Sequence, residues 1–501
     1  MFKGRLKKLI LNRSLIVGGL ILFQFLMLSF FIFNLAKSFI FIYIILNILS
    51  MTTVLYIAGN LKNPAYKLAW TSLILIMPLF GGIFYIFFGN KKMKYKEEKI
   101  VLEDAPPQNE NDLLILSQIN YLSRFTPLYT VENEENFSYY KTGEECFSDM
   151  LLELKKAQKF IFIEYFIIAD GIMWDAIFNI LKEKASFGVD VRIIYDDCGS
   201  LGLLPKKFKK TMKKNNIKCR TFNPLKPNLA VTMNNRDHRK IMVIDGKYAF
   251  SGGINIADEY INELKKHGHW KDNGIKISGE CVKSFTKMFL NMWRLIKDDK
   301  EDISEFLKID KKISQKEDEK KAKIQIYCDN PYNNEKIGKN VYLNMINKSQ
   351  KEILITTPYL ILDNELTSAL ILSAKNGVKV KIITPAIGDK CYVHTLTRSS
   401  YLTLINGGVE IYEYTPGFIH SKIFVCDGKI ATVGSVNLDY RSLYLHFECG
   451  IIMYRLSLIK EIEEDIKETI KKSRKISASD CKRNVFVRII RSILRVFAPL
   501  M

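Results

Sequence analysis

One pattern that occurs twice constrains the fold of this 501-residue chain more than any other feature of its sequence. The pattern is His-x-Lys followed, after four further residues, by Asp. It comprises His238, Lys240 and Asp245 in the first copy and His420, Lys422 and Asp427 in the second. Each copy leads at the same distance into a glycine-containing turn that ends in Asn, at Asn255 and at Asn437. The matching tails indicate a duplicated structural unit rather than coincidence.

The residue types of this pattern suit phosphate chemistry. Histidine exchanges between neutral and charged forms near pH 7, so it can attack phosphorus or carry a proton. Side chains two residues apart on a strand share a face, so each lysine places a positive charge beside its histidine. Asn255 and Asn437 would add neutral amide donors for phosphate oxygens.

Asp245 and Asp427 allow two interpretations. Each begins an Asp-Gly-Lys sequence after a short apolar run that is typical of a buried strand, so each can shape the turn that ends that strand. The alternative is a direct role in the site. The residues themselves leave both interpretations open.

The repeat extends beyond the motifs. Residues 185–194 match residues 374–383, and residues 216–224 resemble residues 408–416. Both pairs follow an order of helix, glycine and β-branched strand, which predicts an α/β domain in each half of the chain. Two copies of one fold that meet face to face would bring both histidines into one shared site.

Charge and cysteine content narrow the functional classes. The net charge of +21 implies an anionic partner, and both nucleic acid and acidic lipid satisfy that requirement. Nine cysteines without a Cys-x-x-Cys pair argue against a disulfide framework or a thiolate zinc site. They fit a reducing compartment.

The N-terminal region predicts membrane attachment. Between residues 15 and 58 the only formal charge is Lys37, and a further apolar stretch covers residues 68–88. We expect two or three apolar segments, at about 15–35, 39–58 and 68–88. Basic residues flank both ends of the region, and the positive-inside rule places both flanks in the cytoplasm. An odd number of membrane crossings cannot put both flanks on the same side. The number of crossings stays open, and we expect a multi-pass protein of the cell membrane with a cytosolic catalytic region.

The expected organisation has five parts. Residues 1–100 form the membrane region, 101–297 the first α/β domain, 298–321 a charged and solvated linker, and 322–480 the second α/β domain. Residues 481–501 alternate apolar and arginine positions at helical spacing. This pattern indicates either an interfacial helix on anionic lipid or an ordinary amphipathic helix docked on the domain.

Together these motifs resemble the phospholipase D superfamily and, within it, the bacterial cardiolipin synthases. The likeness runs from about Asn63 to the last residue. It includes the segments around Trp70, Asn235 to Lys240, Asn255 to Tyr260, His269 to Asp272, and Asn437 to Ser442. Two departures are Gly252-Gly253 in place of the frequent Gly-Ser, and His446-Phe447-Glu448 in place of the usual Asn-Phe-Glu. The other histidines, His446 included, are expected at surface or supporting positions.

The resemblance implies two phospholipase D-type α/β domains packed with pseudo-two-fold symmetry behind N-terminal transmembrane helices. It implies transfer of a phosphatidyl group between two phosphatidylglycerol molecules through a phosphohistidine, giving cardiolipin and glycerol, without metal or cofactor. His238 is favoured as nucleophile and His420 as acid and then base, although the reverse assignment is nearly equivalent.

The resemblance also implies roles for the remaining site residues. Phosphate binding would involve Lys240, Lys422, Asn255, Asn437 and Ser435, whereas Asp272 and Glu448 would orient the histidines. Arg236 and Arg441 would contact the headgroup or form surface salt bridges. The expected partners are anionic phospholipids of a bacterial membrane, phosphatidylglycerol and cardiolipin, and no nucleic acid is expected.

Two other classes of function remain open. A membrane-bound phosphodiesterase, acting on phospholipid or nucleic acid, would use the same histidines with water as acceptor. A non-enzymatic protein would only bind anionic lipid. The choice between an alcohol and water depends on how dry the pocket is, which the sequence does not show, and neither does it show the oligomeric state.

Overall fold

The structure is a computed structural model that describes part of the chain. The described residues are 27, 40–60, 63–77, 81–89, 112–126, 130–132, 137–225, 231–297, 301–307, 323–332, 335–482 and 484–500. The chain divides into two compact units, residues 1–90 and residues 91–501.

The described part of the N-terminal unit is helical. Its helices are α1 (Ile40–Gly59), α2 (Pro64–Ile76) and α3 (Gly81–Phe88). Asn63 begins α2, because its side chain accepts a hydrogen bond from the Ala65 N–H and proline occupies the first helical position. Trp70 is buried and packs edge-on against Tyr85, with ring centroids 5.1 Å apart.

The predicted apolar segments map unevenly onto these helices. Segment 39–58 corresponds to α1, whereas segment 68–88 is divided between the end of α2 and α3. The first segment, 15–35, lies outside the described residues apart from residue 27, and the basic flanks lie outside them as well. Within the described ranges, no helix combines the length and the apolar character needed to cross a bilayer.

The first half of the larger unit is a seven-stranded mixed sheet with helices packed on it. Before it lie α4 (Leu113–Phe125) and β1 (Thr130–Glu132). Its strands are β2 (Ser138–Tyr140), β3 (Phe160–Tyr165), β4 (Asp190–Asp196), β5 (Lys218–Phe222), β6 (Lys240–Ile244), β7 (Tyr248–Gly252) and β9 (Gly274–Ser278), in the order β2-β9-β7-β6-β3-β4-β5. Its helices are α5 (Gly143–Lys156), α6 (Ile172–Ser186), α7 (Phe208–Lys214) and α8 (Cys281–Lys297). The short strand β8 (His269–Lys271) lies outside this sheet.

The second half repeats this arrangement around a nine-stranded sheet. Its strands are β10 (Lys323–Asp329), β11 (Glu352–Thr356), β12 (Lys379–Pro385), β13 (Glu410–Tyr414), β15 (Ile423–Cys426), β16 (Ile430–Gly434), β17 (Glu448–Tyr454) and β18 (Ser473–Ile476), and β14 (Gly417–Ile419) pairs with β8 instead. The sheet order is β1-β10-β17-β16-β15-β11-β12-β13-β18. The helices are α9 (Ile337–Lys348), α10 (Asn364–Lys375), α11 (Cys391–Ser399), α12 (Tyr401–Asn406), α13 (Tyr440–Tyr444), α14 (Leu458–Lys471) and α15 (Val485–Phe497).

The two sheets share one connectivity. The run β9-β7-β6-β3-β4-β5 in the first half corresponds to β17-β16-β15-β11-β12-β13 in the second. In each run three strands are parallel and the motif strand, β6 or β15, is antiparallel to its neighbour. The predicted duplication of an α/β domain is therefore confirmed.

The halves are held together by a common core. One cluster of buried apolar side chains contains Phe162 and Phe285 from the first half together with Ile423 and Ile451 from the second. Burial of apolar surface between the sheets therefore fixes their relative position.

Two expected boundaries differ from the structure. Helix α4 and strand β1 were expected in the first domain, but β1 pairs with β10, and Leu114 and Ile119 of α4 join the core of the second half. The described part of the expected linker, residues 301–307, is not simply solvated, because Arg192 donates to both carboxylate oxygens of Glu301 at 2.6 and 2.7 Å. The rest of that linker lies outside the described residues.

Candidate active site

Both histidine motifs lie at the start of a fully buried central strand. His238 precedes β6, which begins at Lys240, and His420 precedes β15, which begins one residue after Lys422. Beyond Lys240 both strands are apolar, because they are buried along their whole length. The polar groups at the junction of the halves therefore come from the residues before each strand and from Lys240, the first residue of β6.

Backbone hydrogen bonds tie each motif to the opposite half. The His238 N–H donates to the Phe447 carbonyl at 3.0 Å, and the Phe447 N–H donates to the Arg236 carbonyl at 2.8 Å. On the other side, the His420 N–H donates to the Lys271 carbonyl at 2.7 Å. Phe447 and Lys271 each immediately precede an acidic residue, so these bonds bring each acid to the histidine of the other half.

The two acids hold the histidines in a crossed arrangement. Asp272, from the first half, lies with Oδ2 2.7 Å from Nδ1 of His420. Glu448, from the second half, lies with Oε1 3.0 Å from Nδ1 of His238. All four side chains are buried. Because the carboxylates engage Nδ1, the opposite ring nitrogen, Nε2, is the atom that can attack phosphorus or move a proton.

The two lysines lie beside these pairs. Lys240 and Lys422 are buried, and each ammonium group donates to the carbonyl of the histidine two residues before it. Burial lowers the pKa of Lys240 to about 8 and that of Lys422 to about 7. An anionic phosphate bound between them would favour their charged forms.

The protonation states suit nucleophilic and acid–base chemistry. Burial, aided by the charge of Lys422, lowers the pKa of His420 to about 4. Burial and the charges of Lys240 and Lys422 lower the pKa of His238 well below its usual value. Burial alone would raise the pKa of Asp272, but His420 and Lys422 hold it below its ordinary range. Near pH 7 the free site thus contains neutral imidazoles and an ionised Asp272. The charge of Lys422 lowers the pKa of His238 although the two residues belong to different halves.

Comparison with known proteins assigns the family. The model of the family described as "Cardiolipin synthase, PLD-like domain" matches residues 150–293 and 342–470, which contain both motifs. The chain belongs to the cardiolipin synthase family. A second family model, "Phospholipase_D-nuclease N-terminal", matches residues 41–90. The matched ranges of the cardiolipin synthase model fall in both halves, so the fold is of the phospholipase D type with two domains.

Individual relatives cover nearly the whole chain. An uncharacterized protein of Streptococcus mutans serotype c is 39% identical over 90% of this chain and 99% of its own length. A cardiolipin synthase of Geobacillus sp. (strain WCH70) is 31% identical over 91% of this chain and 94% of its own. The crystal structure of phosphatidylserine synthase from Haemophilus influenzae covers 76% of this chain and 97% of its own with a TM-score of 0.59 at 15% identity, which shows a common fold.

The two asparagines of this cardiolipin synthase-family site differ in their surroundings. Asn255 accepts a hydrogen bond from the Ile167 N–H at 3.1 Å and donates through Nδ2 to the Tyr260 hydroxyl at 2.7 Å. One N–H of Asn255 therefore remains for a ligand. Asn437 is also buried, and its side-chain oxygen has no hydrogen-bond partner among the described residues.

The other three candidate substrate-binding residues, Ser435, Arg236 and Arg441, differ in their contacts. Ser435 was expected to contact phosphate, but its hydroxyl donates to Oε2 of Glu448 and accepts from the Cys449 N–H at 3.0 Å. Arg236 was expected at the headgroup or in a surface salt bridge, but it is buried, and Nη1 donates to the Asn223 carbonyl at 2.8 Å. Burial excludes the surface salt bridge for Arg236, whereas the contacts of Ser435 and Arg236 with substrate stay predictions. Arg441 is half-buried at the start of α13, and its substrate contact stays a prediction.

Asp245 and Asp427 lie at the far ends of the motif strands. Asp245 adopts a left-handed conformation, with φ 54°, and accepts from the N–H groups of Gln158, Lys159 and Phe160 at 2.7–2.9 Å. Asp427 does the same at φ 55° with three N–H groups of residues 350–352. At about 3.3 Å per residue they lie roughly 20 Å from the histidines, so the catalytic assignment is wrong and the turn interpretation holds.

Several rings that line the histidines were not predicted as site residues. The ring of Phe166 lies 5.0 Å from His238, and those of Tyr260 and Trp270 lie 5.3 and 5.4 Å from His420, measured between centroids. Only Trp270 is marked by its position relative to an acid of the site, because it precedes Asp272 by two residues. These rings give the polar centre of the site apolar walls.

Of the two positions expected for His446, at the surface or in a supporting place, the structure shows the supporting one, beside His238. Its ring centroid is 5.4 Å from that of His238, and it is buried. The spacing contained a signal, since His446 precedes Glu448 by two residues as Trp270 precedes Asp272. With His238 and Glu448 it forms the set of side chains in the described ranges that could hold a metal ion.

Replacing Asp245 tests the turn interpretation. We expect Asp245→Ala to lower the free energy of unfolding by about 1–3 kcal/mol, because three N–H groups lose their acceptor and alanine resists positive φ. Asp245→Asn should restore most of that loss, since asparagine keeps an acceptor and tolerates this conformation. The measurement is thermal unfolding of the full chain in detergent. Unchanged stability of Asp245→Ala with impaired phosphate binding would contradict this interpretation.

Proposed function

We propose that the protein is a phosphatidyltransferase that makes cardiolipin and glycerol from two molecules of phosphatidylglycerol. The observation that carries the proposal is the single buried site in which two histidine–lysine pairs face each other, each histidine held by an acid of the other half. The cardiolipin synthase family model covers both halves of this site.

The first step forms a covalent intermediate. Nε2 of His238 attacks phosphorus of the first phosphatidylglycerol, and the bond from phosphorus to the glycerol headgroup oxygen breaks. His420 gives a proton to that oxygen, and glycerol leaves. The bound phosphodiester offsets the charge of the lysines and so raises the pKa of His420, while ionised Asp272 stabilises the imidazolium.

The second step reverses the first with a new alcohol. A hydroxyl of the second phosphatidylglycerol gives its proton to His420 and attacks phosphorus, the phosphorus–nitrogen bond breaks, and His238 is restored. Lys240 and Lys422 stabilise the charge on the equatorial oxygens in both transition states, with amide donors from Asn255 and Asn437. The phosphohistidine retains the energy of the phosphodiester, so no nucleotide is consumed.

The lining of the site favours an alcohol over water as acceptor. Phe166, Tyr260 and Trp270 surround the histidines, and the histidines and lysines are all buried. An apolar lining disfavours free water and accommodates the lipid that carries the attacking hydroxyl. Hydrolysis by a phospholipase-type reaction is the competing outcome.

Incubation of the purified full chain with labelled phosphatidylglycerol alone tests this proposal. We expect cardiolipin and glycerol, resolved by mass. In samples quenched during turnover we also expect His238 to carry a phosphate-linked group that acid releases. His238→Ala and His420→Ala should each reduce turnover by at least about 10³-fold, because each removes a reacting group. His394→Ala, on α11, is the matched control and should keep wild-type turnover.

Other products would redirect the assignment. Phosphatidic acid in place of cardiolipin would identify a hydrolase. Full activity of either catalytic-histidine variant would contradict the shared site.

The low pKa of Lys422 predicts a pH dependence. Lysine is charged below its pKa, and the charged form binds the phosphodiester, so kcat/KM should fall as pH rises through about 7. Lys422→Arg should move this fall to higher pH, because guanidinium stays charged throughout that range. The measurement is kcat/KM between pH 6 and pH 9. A flat profile, or the same fall in both proteins, would contradict the role of Lys422.

We further propose that the enzyme is a multi-pass protein of the cell membrane that acts on its cytosolic face. The apolar segments of residues 15–88 and the N-terminal family match support this attachment. The exposed face of α15 supports a second contact. Its exposed apolar side chains are Val485, Phe486, Ile489, Ile490 and Ile493. Arg488, Arg491 and Arg495 occupy the same helix, and Arg495 donates to the Ser399 carbonyl of α11 at 2.7 Å.

Brominated lipid tests this contact. In vesicles of brominated phosphatidylglycerol, the added fluorescence of Ile489→Trp should be quenched, because that face lies at the acyl boundary. Ile172→Trp, at the exposed start of α6, is the matched control and should be quenched much less. Equal quenching at both positions would contradict a lipid-facing α15.

A further inference from the structure

We propose that His238, His446 and Glu448 form a binding site for Zn²⁺, and that zinc bound there inhibits the enzyme. The inhibition rests on the proposed function, whereas the metal site rests on the geometry of the three side chains. Such a site would make turnover responsive to free zinc.

The distances between the side chains fit zinc. Oε1 of Glu448 lies 3.0 Å from Nδ1 of His238 and 3.7 Å from Nδ1 of His446. One ligand atom from each of the three residues lies within 4.8 Å of the others. Tetrahedral zinc with bonds of about 2.0–2.1 Å separates its ligands by roughly 3.3 Å, between the first two distances. Two imidazoles and a carboxylate also form a ligand set that zinc accepts.

His446 has unused ligand capacity. Both of its ring nitrogens are buried without a hydrogen-bond partner among the described residues, and only 7% of the residue is exposed. A buried polar group without a partner is unfavourable, and a bound ligand would remove that penalty. The acid that would share the metal, Glu448, lies with Oε1 3.7 Å from Nδ1 of this ring.

The second oxygen of Glu448 is already oriented. The Ser435 hydroxyl donates to Oε2, and Ser435 is itself fixed by the Cys449 N–H at 3.0 Å. Such an outer hydrogen bond holds a ligating carboxylate in place. Oε1 faces both imidazoles, and Oε2 also lies 3.1 Å from Nδ1 of His238.

The other half of the molecule provides an internal comparison. Trp270 is the counterpart of His446, since each ring lies 5.4 Å from its histidine at interplanar angles of 41° and 40°. An indole offers no lone pair for zinc. The ligand set therefore forms around His238 and not around His420.

Zinc at this position would stop transfer. It would bind the lone pair of Nδ1 of neutral His238, so the single ring proton would move from Nδ1 to Nε2 and occupy the lone pair that attacks phosphorus. Lys240 and Lys422 oppose a cation here, while Glu448 and ionised Asp272 favour it. Their opposition makes the bound zinc exchangeable rather than permanent.

The test measures Zn²⁺ uptake by the full chain in detergent, by equilibrium dialysis with metal analysis, and the absorption of bound Co²⁺. We expect one ion per chain with a tetrahedral cobalt spectrum. His446→Asn should bind at least about tenfold more weakly, since loss of even an outer partner costs about 10–100-fold. His394→Asn is the matched control and should bind as the wild type does. His446→Gln provides a second variant if the first unfolds.

Three results would overturn the proposal: no stoichiometric uptake, equal affinity in His446→Asn, or zinc binding that leaves wild-type turnover unchanged. Inhibition should be reversed by a chelator and should require at least about tenfold more zinc in His446→Asn. Uptake is measured without turnover, so a protein that binds zinc but makes no cardiolipin would refute the proposed function alone.

Discussion

The structure depends on the crossed contact between each histidine and the acid of the opposite half. Backbone hydrogen bonds at His238 and His420 hold the halves in register, and Glu448 and Asp272 complete the contact. Burial gives these charge-assisted bonds their strength, and burial comes from the apolar core that both halves share. Neither half alone contains a complete histidine–acid pair. The duplication and the packing of the two halves are therefore both needed to form the site.

The pseudo-symmetry is broken in the immediate surroundings of the two histidines. Ser435 donates to Glu448, whereas its counterpart Gly253 offers no hydroxyl, and a Cβ there would collide with Asp272. Trp270 flanks His420, whereas His446 flanks His238. The two histidines thus have the same backbone setting and different immediate neighbours. In the proposed mechanism these differences distinguish the nucleophile from the acid–base group.

Much of the fold was predictable because it follows from local pattern. The spacing of His238 and Lys240, the apolar run after them and the repeated α/β order identified the motif strands and the duplication. Contacts that depend on the packing of distant segments were harder to predict. No pattern in the neighbouring sequence indicates three of these contacts. They are the burial of Arg236, the hydrogen bond from the Ser435 hydroxyl to Glu448, and the pairing of β1 with β10. The sequence is compatible with both a turn role and a site role for Asp245, and its three N–H partners decide for the turn.

The most direct test is NMR of the full chain labelled with ¹⁵N in its histidine rings. Wild-type protein should show downfield Nδ1–H signals from His238 and His420, assigned with His→Asn variants. Glu448→Gln should shift or remove the His238 signal and leave that of His420, and Asp272→Asn should do the reverse. Signals that respond to the acid of their own half, or to neither acid, would contradict the crossed site.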